Sequence, residues 1–434
     1  MMTTDFVAVG GFVALFLLLI LRVPIGVAMG VVGVGGFGLL AAWDPALNLL
    51  AISPIRTVTD YSLGLIPMFI LMGAVASASG MSGELYRAAN AFLGHRKGGL
   101  AMATITACGG FSAICGSSVA TAATMAKVAL PEMKRYGYPD TLATGSIAAG
   151  GTLGILIPPS IVLAIYGVMT EQDIGQLFIA GLIPGILAMV MYLVTVQLYI
   201  RFRGIEIPVQ ERIGWGERLA ALRGVWAIVL LFIFIIGGIY GGVFTPSEAA
   251  GMGAAGAIVI SMARRRLPLK RLFDCLLESI QVTAGIFMIL IGAILFGYFL
   301  TITQTPQKVT NFLLGLELGA YPTLLLILLF MIALGCILDA MAMIILMIPI
   351  LFPVAMALGF DPIWFGVVIV MTVELGMITP PIGMNVFVIN SLARDVPLQK
   401  IYAGVMPFVM TDIVRLGLII LFPAIVLFLP QTMR

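Results

Sequence analysis

The sequence predicts an all-α polytopic membrane protein built from two inverted-topology repeats. Apolar residues occupy 61% of its 434 positions and charged residues only 10%, with a mean hydropathy of +1.15. This composition lies far outside the range of soluble globular domains. Long apolar segments alternate with short basic loops, as in chains that cross a bilayer many times. Two of these segments are interrupted by a proline pair, Pro158-Pro159 and Pro380-Pro381.

The two proline pairs are the main evidence for an internal repeat. Pro380 follows Pro158 by 222 positions, and the same shift carries Ser117 onto Asp339. An ordered series of matches at one shift favours duplication of a structural unit. We therefore expect a first repeat at residues 1–215 and a second at residues 216–434.

Each repeat is predicted to contain three crossings, a helical hairpin, a broken helix and a last crossing, with about 20 apolar residues per span. In the first repeat these segments are residues 6–21, 25–42, 63–78, 99–135, 141–167 and 177–200. In the second repeat they are residues 225–243, 249–262, 280–300, 320–358, 362–393 and 402–429. Proline lacks an amide hydrogen and clashes with the carbonyl four residues earlier. Neither broken helix can therefore continue through its proline pair.

The hairpins are interpreted as re-entrant, because the second arm of the first one is too short for a crossing. Residues 118–131 reach only about 21 Å as a helix, and they include Lys127. Basic residues flank both outer ends of the hairpin, Arg96 before it and Lys134 after it. Both ends are therefore expected on the same side of the membrane.

The two repeats are predicted to enter the membrane in opposite orientations, since each has five crossings and an odd number inverts the next copy. With the N-terminus outside, the inner loops hold 19 of the 23 Lys and Arg residues, in agreement with the positive-inside rule. Arg56, Lys308 and Arg434 fall outside, and Arg415 lies within the last span. Both termini are therefore expected on the outer face.

Four polar stretches are predicted to be amphipathic arms along the membrane surface, with solvated loops as the alternative. They are residues 84–94, 203–223, 264–278 and 307–315. The overall net charge of +3 does not indicate a nucleic-acid partner, because the basic residues are spread over short loops. The four cysteines have no metal-ligand or disulfide spacing, and no cofactor is expected.

The hairpin tips are the places where polar chemistry is expected. Each tip ends one helix and begins another, so carbonyl and amide dipoles lie side by side. Ser117 and Ser118 at the first tip are suitable N-caps and hydroxyl ligands. Asp339 at the second tip is a carboxylate deep in an apolar run, which is a functional position by default.

Two sodium sites are predicted, because a hard cation prefers oxygen ligands, by analogy with calcium and magnesium. The first gathers the hairpin residues Ser112, Gly116 and Ser117 with the backbone of Gly150, Gly151 and Thr152. The second gathers Asp339 with Gly376, Thr379 and Asn385. For the small residues, close helix packing is the alternative.

Three charged residues outside the tips have open roles. Glu374 approaches the second break and is interpreted as a buried partner, a proton carrier or a structural group. Asp412 and Arg415 are spaced i, i+3 in the last span, and such residues lie on one helix face. A structural ion pair is favoured there over a substrate clamp.

Four segments together resemble one transporter family. They are GGFSAICGSSVATAATM, GGTLGILIPPS, GCILDAMAMIILMIPIL and ELGMITPPIGMNVFV. The chain resembles, over nearly its whole length, the large membrane subunit (DctM-like, M subunit) of tripartite ATP-independent periplasmic (TRAP) transporters.

The resemblance implies sodium-coupled uptake of an organic acid, such as a C4-dicarboxylate, across a bacterial inner membrane by an elevator-type motion. It implies two partners, a small four-helix membrane subunit (Q-type) and a periplasmic substrate-binding protein (P-type). Carried over by position, it places Ser117, Ser160 and Asp339 around the substrate and its ions, with the proline pairs framing the sodium sites. Two alternatives stay open: a stand-alone sodium and divalent-anion symporter, and a membrane subunit of a respiratory enzyme.

Overall fold

The computed structural model describes residues 2–433, and all their regular structure is helical, so the predicted all-α fold is confirmed. Arg434, which the charge pattern placed outside, and Met1 lie outside the described residues.

The helices of the first half are α1 (Met2–Ile20), α2 (Ile25–Leu40), α3 (Trp43–Thr59), α4 (Leu65–Ala78), α5 (Met81–Leu93), α6 (Gly99–Cys115), α7 (Ser118–Arg135), α8 (Asp140–Thr152), α9 (Ile161–Thr170) and α10 (Ile174–Arg203). Those of the second half are α11 (Trp215–Gly224), α12 (Trp226–Tyr240), α13 (Pro246–Ala263), α14 (Leu269–Ile302), α15 (Thr305–Gly315), α16 (Ala320–Gly335), α17 (Ala340–Ala357), α18 (Pro362–Ile378), α19 (Met384–Leu392), α20 (Leu398–Leu421) and α21 (Ala424–Leu427).

The same order of helices occurs twice along the chain. The hairpin α6–α7 corresponds to α16–α17, and the broken helix α8–α9 corresponds to α18–α19, with start positions 221 to 223 residues apart. The arms α5 and α15 precede the hairpins, and α10 and α20 follow the broken helices. The shift seen in the prolines therefore extends to whole elements.

By length and composition, four helices within residues 2–433 are able to cross a membrane: α10, α14, α17 and α20. The number rises to six if two bent pairs, α3 with α4 and α11 with α12, are each one span. Six shorter apolar helices have 10 to 17 residues, and α6, α9, α16 and α18 are among them. These four are hairpin arms or halves of broken helices, which explains why they are shorter than a full span.

Three segments differ from the sequence-based expectation. Residues 43–59, for which the sequence pattern predicts no span, form α3 and bend by 61° into the next helix. The stretch 203–223 is not one helix, because Gly204 at φ 60° ends α10 and Pro208 has no amide hydrogen for a helical bond. After Arg203, only residues 215–223 of that stretch are helical. The helical part of 264–278 is the beginning of the 34-residue α14, not a separate arm.

Two helix pairs are held together by direct backbone contact at glycine. A Cβ atom on Gly292 of α14 would lie 2.0 Å from the carbonyl oxygen of Gly26 on α2. A Cβ atom on Gly404 of α20 would lie 1.9 Å from the carbonyl oxygen of Thr141 on α8. Small residues let two helix backbones approach this closely. In lipid, where the hydrophobic effect does not drive helices together, the resulting van der Waals packing favours their association.

The second arm of each hairpin packs against the broken helix of the other repeat, α7 on α19 and α17 on α9. The Tyr166 hydroxyl on α9 donates to the Pro362 carbonyl oxygen at 2.6 Å, and its ring meets Phe352 of α17 edge-on at 6.2 Å. This reciprocal packing is that of two units with twofold pseudosymmetry. It brings both hairpin tips and both breaks to one region of the molecule.

Candidate functional site

Each hairpin tip is closed by a polar side chain that caps the helix after it. Gly116, with φ 65°, turns the chain at the first tip, and the Ser117 hydroxyl accepts from the Ala120 amide at 3.4 Å. At the second tip the Asp339 carboxylate accepts from the Ala342 amide at 2.6 Å. The caps satisfy amides that the first helical turn leaves free. The remaining free amides and the helix dipole make each tip attractive to an anion.

The two breaks contain the cis peptides Pro158-Pro159 and Pro380-Pro381. At the first break the Ser160 hydroxyl donates to the Ile155 carbonyl oxygen at 2.5 Å and accepts from the Leu163 amide at 3.2 Å. Ser160 therefore satisfies backbone groups within its own break, and its side chain is fully buried.

The second break differs from the first because it is exposed. The Tyr402 hydroxyl of α20 lies 2.7 Å from the Pro381 carbonyl oxygen and 2.5 Å from that of Ile382. The Thr379 hydroxyl turns back to the Leu375 carbonyl oxygen at 2.5 Å. Backbone carbonyls around the second break are thus partly satisfied by side chains, one of them from a different helix.

Each hairpin tip is bonded to the break of its own repeat. The Ile161 amide donates to the Gly116 carbonyl oxygen at 3.4 Å, and the Gly383 amide donates to the Cys336 carbonyl oxygen at 3.3 Å. A Cβ atom on Gly154 would lie 2.5 Å from the Ser117 carbonyl oxygen. Tip and break therefore form one unit in each repeat.

The two tips meet at a small cavity of about 120 Å³. Ser117, Ser118 and Asp339 line it, with the first residues of α7 and α17 and with Val162 of α9. Residues 117, 118 and 339, which the sequence singled out, are therefore brought together. Hydroxyls, one carboxylate and three helix N-termini surround a space of a few atoms, an arrangement that can hold a small anion beside a cation.

Asp339 also faces a second space on its other side. This cleft of about 360 Å³ lies between the second tip and the pair α2–α14, and Gly26, Gln281 and Met288 are among its lining residues. Asp339 is therefore located on the boundary between the hairpin region and the α2–α14 pair.

The residues of the predicted first sodium site lie where α6, α7 and α8 pack tightly against one another. The Ser112 hydroxyl donates to the Cys108 carbonyl oxygen at 2.7 Å, and the Thr152 hydroxyl donates to the Ala149 carbonyl oxygen at 2.8 Å. A Cβ atom on Gly150 would lie 2.9 Å from the Cys108 sulfur, and one on Gly151 would lie 2.6 Å from the Ala122 Cβ atom. The two glycines allow α8 to contact α6 and α7.

In the predicted second set, Gly376 lies against the first helix of its hairpin, where an added Cβ atom would be 2.8 Å from the Gly335 Cα atom. Asn385 lies elsewhere than expected. Its amide nitrogen is 2.6 Å from the Ser118 hydroxyl and 3.2 Å from the Ala148 carbonyl oxygen. The structure therefore brings Asn385 of the second repeat to Ser118 at the tip of the first repeat.

Two buried oxygens near the first tip have no hydrogen-bond partner among the described residues, the Asn385 side-chain oxygen and the Thr121 hydroxyl. Thr121 was missed in the sequence, although it follows Ser117 by one turn of α7. A buried polar atom without a partner is costly. These two oxygens fit the donor type that a sodium ion requires. Within residues 2–433, no three His, Cys, Asp or Glu side chains come together as a metal cluster.

A second polar group lies in the interior of the helix bundle, and Arg415 is its centre. Its guanidinium is 2.7 Å from Glu374 and 3.0 Å from Asp412. The Tyr192 hydroxyl donates to the Asp412 carboxylate, 2.8 and 2.7 Å from its oxygens, and it lies 3.3 Å from the Thr152 hydroxyl. The i, i+3 pair was predicted, but the contact to Glu374 was not, because 41 residues separate the partners.

The family model described as "Tripartite ATP-independent periplasmic transporter, DctM component" matches residues 12–425. A C4-dicarboxylate TRAP transporter large permease protein DctM of Pseudomonas aeruginosa is 38% identical over 399 residues, 92% of each chain. An isethionate TRAP transporter permease protein DctMQ of Oleidesulfovibrio alaskensis is 32% identical over 419 residues, covering 96% of this chain and 65% of that protein.

The fold has a counterpart among solved structures. The crystal structure of the Alcanivorax borkumensis YdaH transporter, described as having an unusual topology, aligns with a TM-score of 0.61 at 16% identity. The alignment covers 87% of this chain and 90% of that one. At this identity the similarity concerns the fold alone.

Proposed function

This chain belongs to the DctM family of TRAP transporter large permeases, and we propose that it imports a small organic acid together with sodium ions. The observation that carries the proposal is the cavity where the two hairpin tips meet. Three helix N-termini there favour an anionic group, while Asp339 and the nearby hydroxyls favour a cation. A substrate acid and its coupling ion therefore have complementary partners in one place.

A C4-dicarboxylate or a similar carboxylate is the proposed substrate class. The two relatives above are named for a C4-dicarboxylate and for isethionate, which both carry an acid group on a short carbon chain. The 120 Å³ cavity suits one such acid group. Ser117, Ser118 and Asp339 are the proposed substrate-site residues of the cavity, and Ser160 is proposed to support the site by holding the backbone of the first break.

An elevator motion of the hairpin region past a fixed frame is the proposed mechanism. The helices α2 and α14 contact each other backbone to backbone, as expected of a rigid frame. The 360 Å³ cleft beside Asp339 separates this frame from the second tip. A cleft on that boundary is where one body would slide along the other.

The proposed setting is a bacterial inner membrane, with both termini on the periplasmic side as the distribution of Lys and Arg indicates. A small four-helix membrane subunit and a periplasmic binding protein are the proposed partners. The isethionate relative carries M and Q in its name and extends beyond the region matched here, which supports a small subunit beside this chain.

Uptake into proteoliposomes tests the proposal. The chain would be reconstituted with its small subunit, and a binding protein loaded with labelled succinate would be added outside. Uptake is expected only with an inward sodium gradient and the binding protein present. If uptake continues after a sodium ionophore has collapsed the gradient, the proposal of sodium coupling is wrong. Uptake of free succinate without the binding protein would favour the stand-alone symporter.

A further inference from the structure

A cationic pocket lies beside the end of α10, and none of its lining residues belongs to the hairpin tips. It has a volume of about 1000 Å³, and Arg96, Lys97 and Arg201 contribute three positive charges to its wall against the single carboxylate of Glu206. Its remaining wall comes from the end of α10 and the irregular segment after it. Within residues 2–433 none of the three basic side chains has a carboxylate within 4 Å. The pocket therefore carries unneutralised positive charge.

Arg218 of α11 adds a buried cation beside this pocket. Its side chain is only 5% exposed, and its Nε and Nη2 atoms have no hydrogen-bond partner among the described residues. Partial burial and the charges of Arg218, Arg212 and Arg96 lower the pKa of His95, so these cations share one neighbourhood. A buried guanidinium with free donors is costly unless an anion satisfies it.

An apolar groove of about 410 Å³ leads away from these cations. Phe92 lines it, and the Arg218 guanidinium carbon lies 5.7 Å from the Phe92 ring centroid. Met189 and Leu193 of α10 line the groove, whereas Gln197 and Arg201 of the same helix line the cationic pocket. Residues spaced by four lie on one helix face, so groove and pocket form a single track along α10.

The helix α5 follows the same order along this track. Residues of α5 up to its last residue, Leu93, line the groove, and Arg96 and Lys97 of the turn that follows line the pocket. At the pocket end, Phe202 is 83% exposed and Trp215 is 73% exposed. Exposed aromatic residues next to basic ones are typical of the headgroup level of a bilayer. The track therefore begins at the membrane surface and continues into the hydrocarbon.

The geometry points to a binding site for an anionic phospholipid, with its phosphate-bearing headgroup in the cationic pocket and one acyl chain in the groove between α5, α6 and α10. A free phosphate ion would satisfy the cations but would leave the apolar groove without a role. A zwitterionic lipid would fill the groove but would neutralise little of the excess positive charge in the pocket. Basic pockets between membrane helices on the inner side bind such headgroups.

Native mass spectrometry of the purified chain with added lipid tests the site. Phosphatidylglycerol is expected to be retained in preference to phosphatidylcholine at equal concentration. The double variant Arg96→Gln/Arg201→Gln, at two exposed positions, is expected to lose retention by about fivefold for each charge removed. Leu193→Trp, which fills the groove, is expected to lose retention with every cation still present. The matched control is Arg271→Gln, an exposed basic residue outside the track, which should retain the lipid as the wild type does.

Three results would overturn the inference. Equal retention of the two lipids would show that charge does not select the ligand. An equal loss in Arg271→Gln would show a general charge effect and no site. Displacement of phosphatidylglycerol by excess inorganic phosphate, with no effect of Leu193→Trp, would assign the pocket to a free anion. Gel filtration of each variant checks that the fold is retained, and the double variant Arg96→Gln/Arg201→Gln changes exposed positions only.

Discussion

Arg415 and Glu374 form a salt bridge of 2.7 Å in which neither side chain has exposed surface. Asp412 adds a second carboxylate, 3.0 Å from the same guanidinium, and α10 contributes the Tyr192 hydroxyl. The group thereby joins α10, α18 and α20. One Glu374 oxygen and two Arg415 nitrogens have no partner among the described residues. The group is therefore both a cross-link and a costly feature, and removal of one member should have a large effect.

Replacement of Arg415 by Met is expected to destabilise the protein by about 3 to 5 kcal/mol, because two buried carboxylates lose their cation. Thermal unfolding of the detergent-solubilised protein measures the effect. Glu374→Gln keeps the volume and a hydrogen-bond partner, so it should cost less. The double variant Arg415→Met/Glu374→Gln should recover part of the loss. If Arg415→Met unfolds at the wild-type temperature, the ion pair has no structural role.

Replacement of Tyr192 by Phe is expected to cost about 1.5 to 3 kcal/mol, the usual contribution of a hydrogen bond to a charged group. The ring packing against Phe408, edge-on at 5.5 Å, stays in place, so the loss reports the hydroxyl alone. Tyr321→Phe is the matched control, since Tyr321 is exposed. Similar unfolding temperatures for the two variants would argue against a stabilising bond between Tyr192 and Asp412.

Replacement of Asn385 by Ala is expected to reduce sodium-driven uptake and to raise the sodium concentration needed for half-maximal rate by about tenfold, for a loss of about 1.4 kcal/mol. The variant loses the bond to Ser118 and the free oxygen that we assign to the ion. Asn390→Ala is the control on the same helix, because Asn390 bonds only the Val396 carbonyl oxygen, at 3.1 Å. An unchanged sodium dependence in Asn385→Ala would remove the residue from the ion site.

The cap and the charge of Asp339 can be separated by two substitutions. Asparagine is as good an N-cap as aspartate, whereas alanine loses about 1 kcal/mol of helix stability. We expect Asp339→Asn and Asp339→Ala both to lose at least about tenfold in uptake, but only the alanine variant to unfold at a lower temperature. Ser117→Ala is expected to reduce uptake as well. Wild-type uptake by Asp339→Asn would show that the residue acts only as a cap.

Replacement of Gly154 by Ala is expected to displace the first hairpin tip, since the new Cβ atom would lie 2.5 Å from the Ser117 carbonyl oxygen. Overpacking of this kind costs about 1 to 3 kcal/mol, and uptake should fall with it. Gly251→Ala is the control, because nothing lies within 4 Å of its added Cβ atom. Equal uptake by both variants would mean that the tip tolerates the shift.

Local sequence features were sufficient to predict the interruptions and the polar tips. A proline pair excludes a continuous helix wherever it stands, and Ser117 and Asp339 are capping residues at the start of apolar helices. The irregular segment 205–214 was not predicted, because the amphipathic character of its neighbours concealed the effect of Gly204 and Pro208. The helix at 43–59 was missed because its polar residues and Pro54 resemble a loop.

Contacts between distant residues were beyond the reach of sequence reasoning. Asn385 was grouped with Asp339 because both belong to the second repeat, but the packing of α19 on α7 takes it to Ser118. Glu374 and Arg415 are 41 positions apart, and no periodicity links them. Thr121 is not predicted as a ligand, because no local feature distinguishes it from the other small polar residues of α7.

The membrane environment, the repeat, the breaks and the capped tips follow from local patterns in the amino-acid sequence, because hydropathy, proline and capping act over a few residues. The contact of Asn385 with Ser118, the two carboxylates around Arg415, and the track of basic and apolar residues along α10 are visible only in the folded chain. Those outcomes depend on how two repeats pack against each other, and packing is set by shape over the whole surface of each helix.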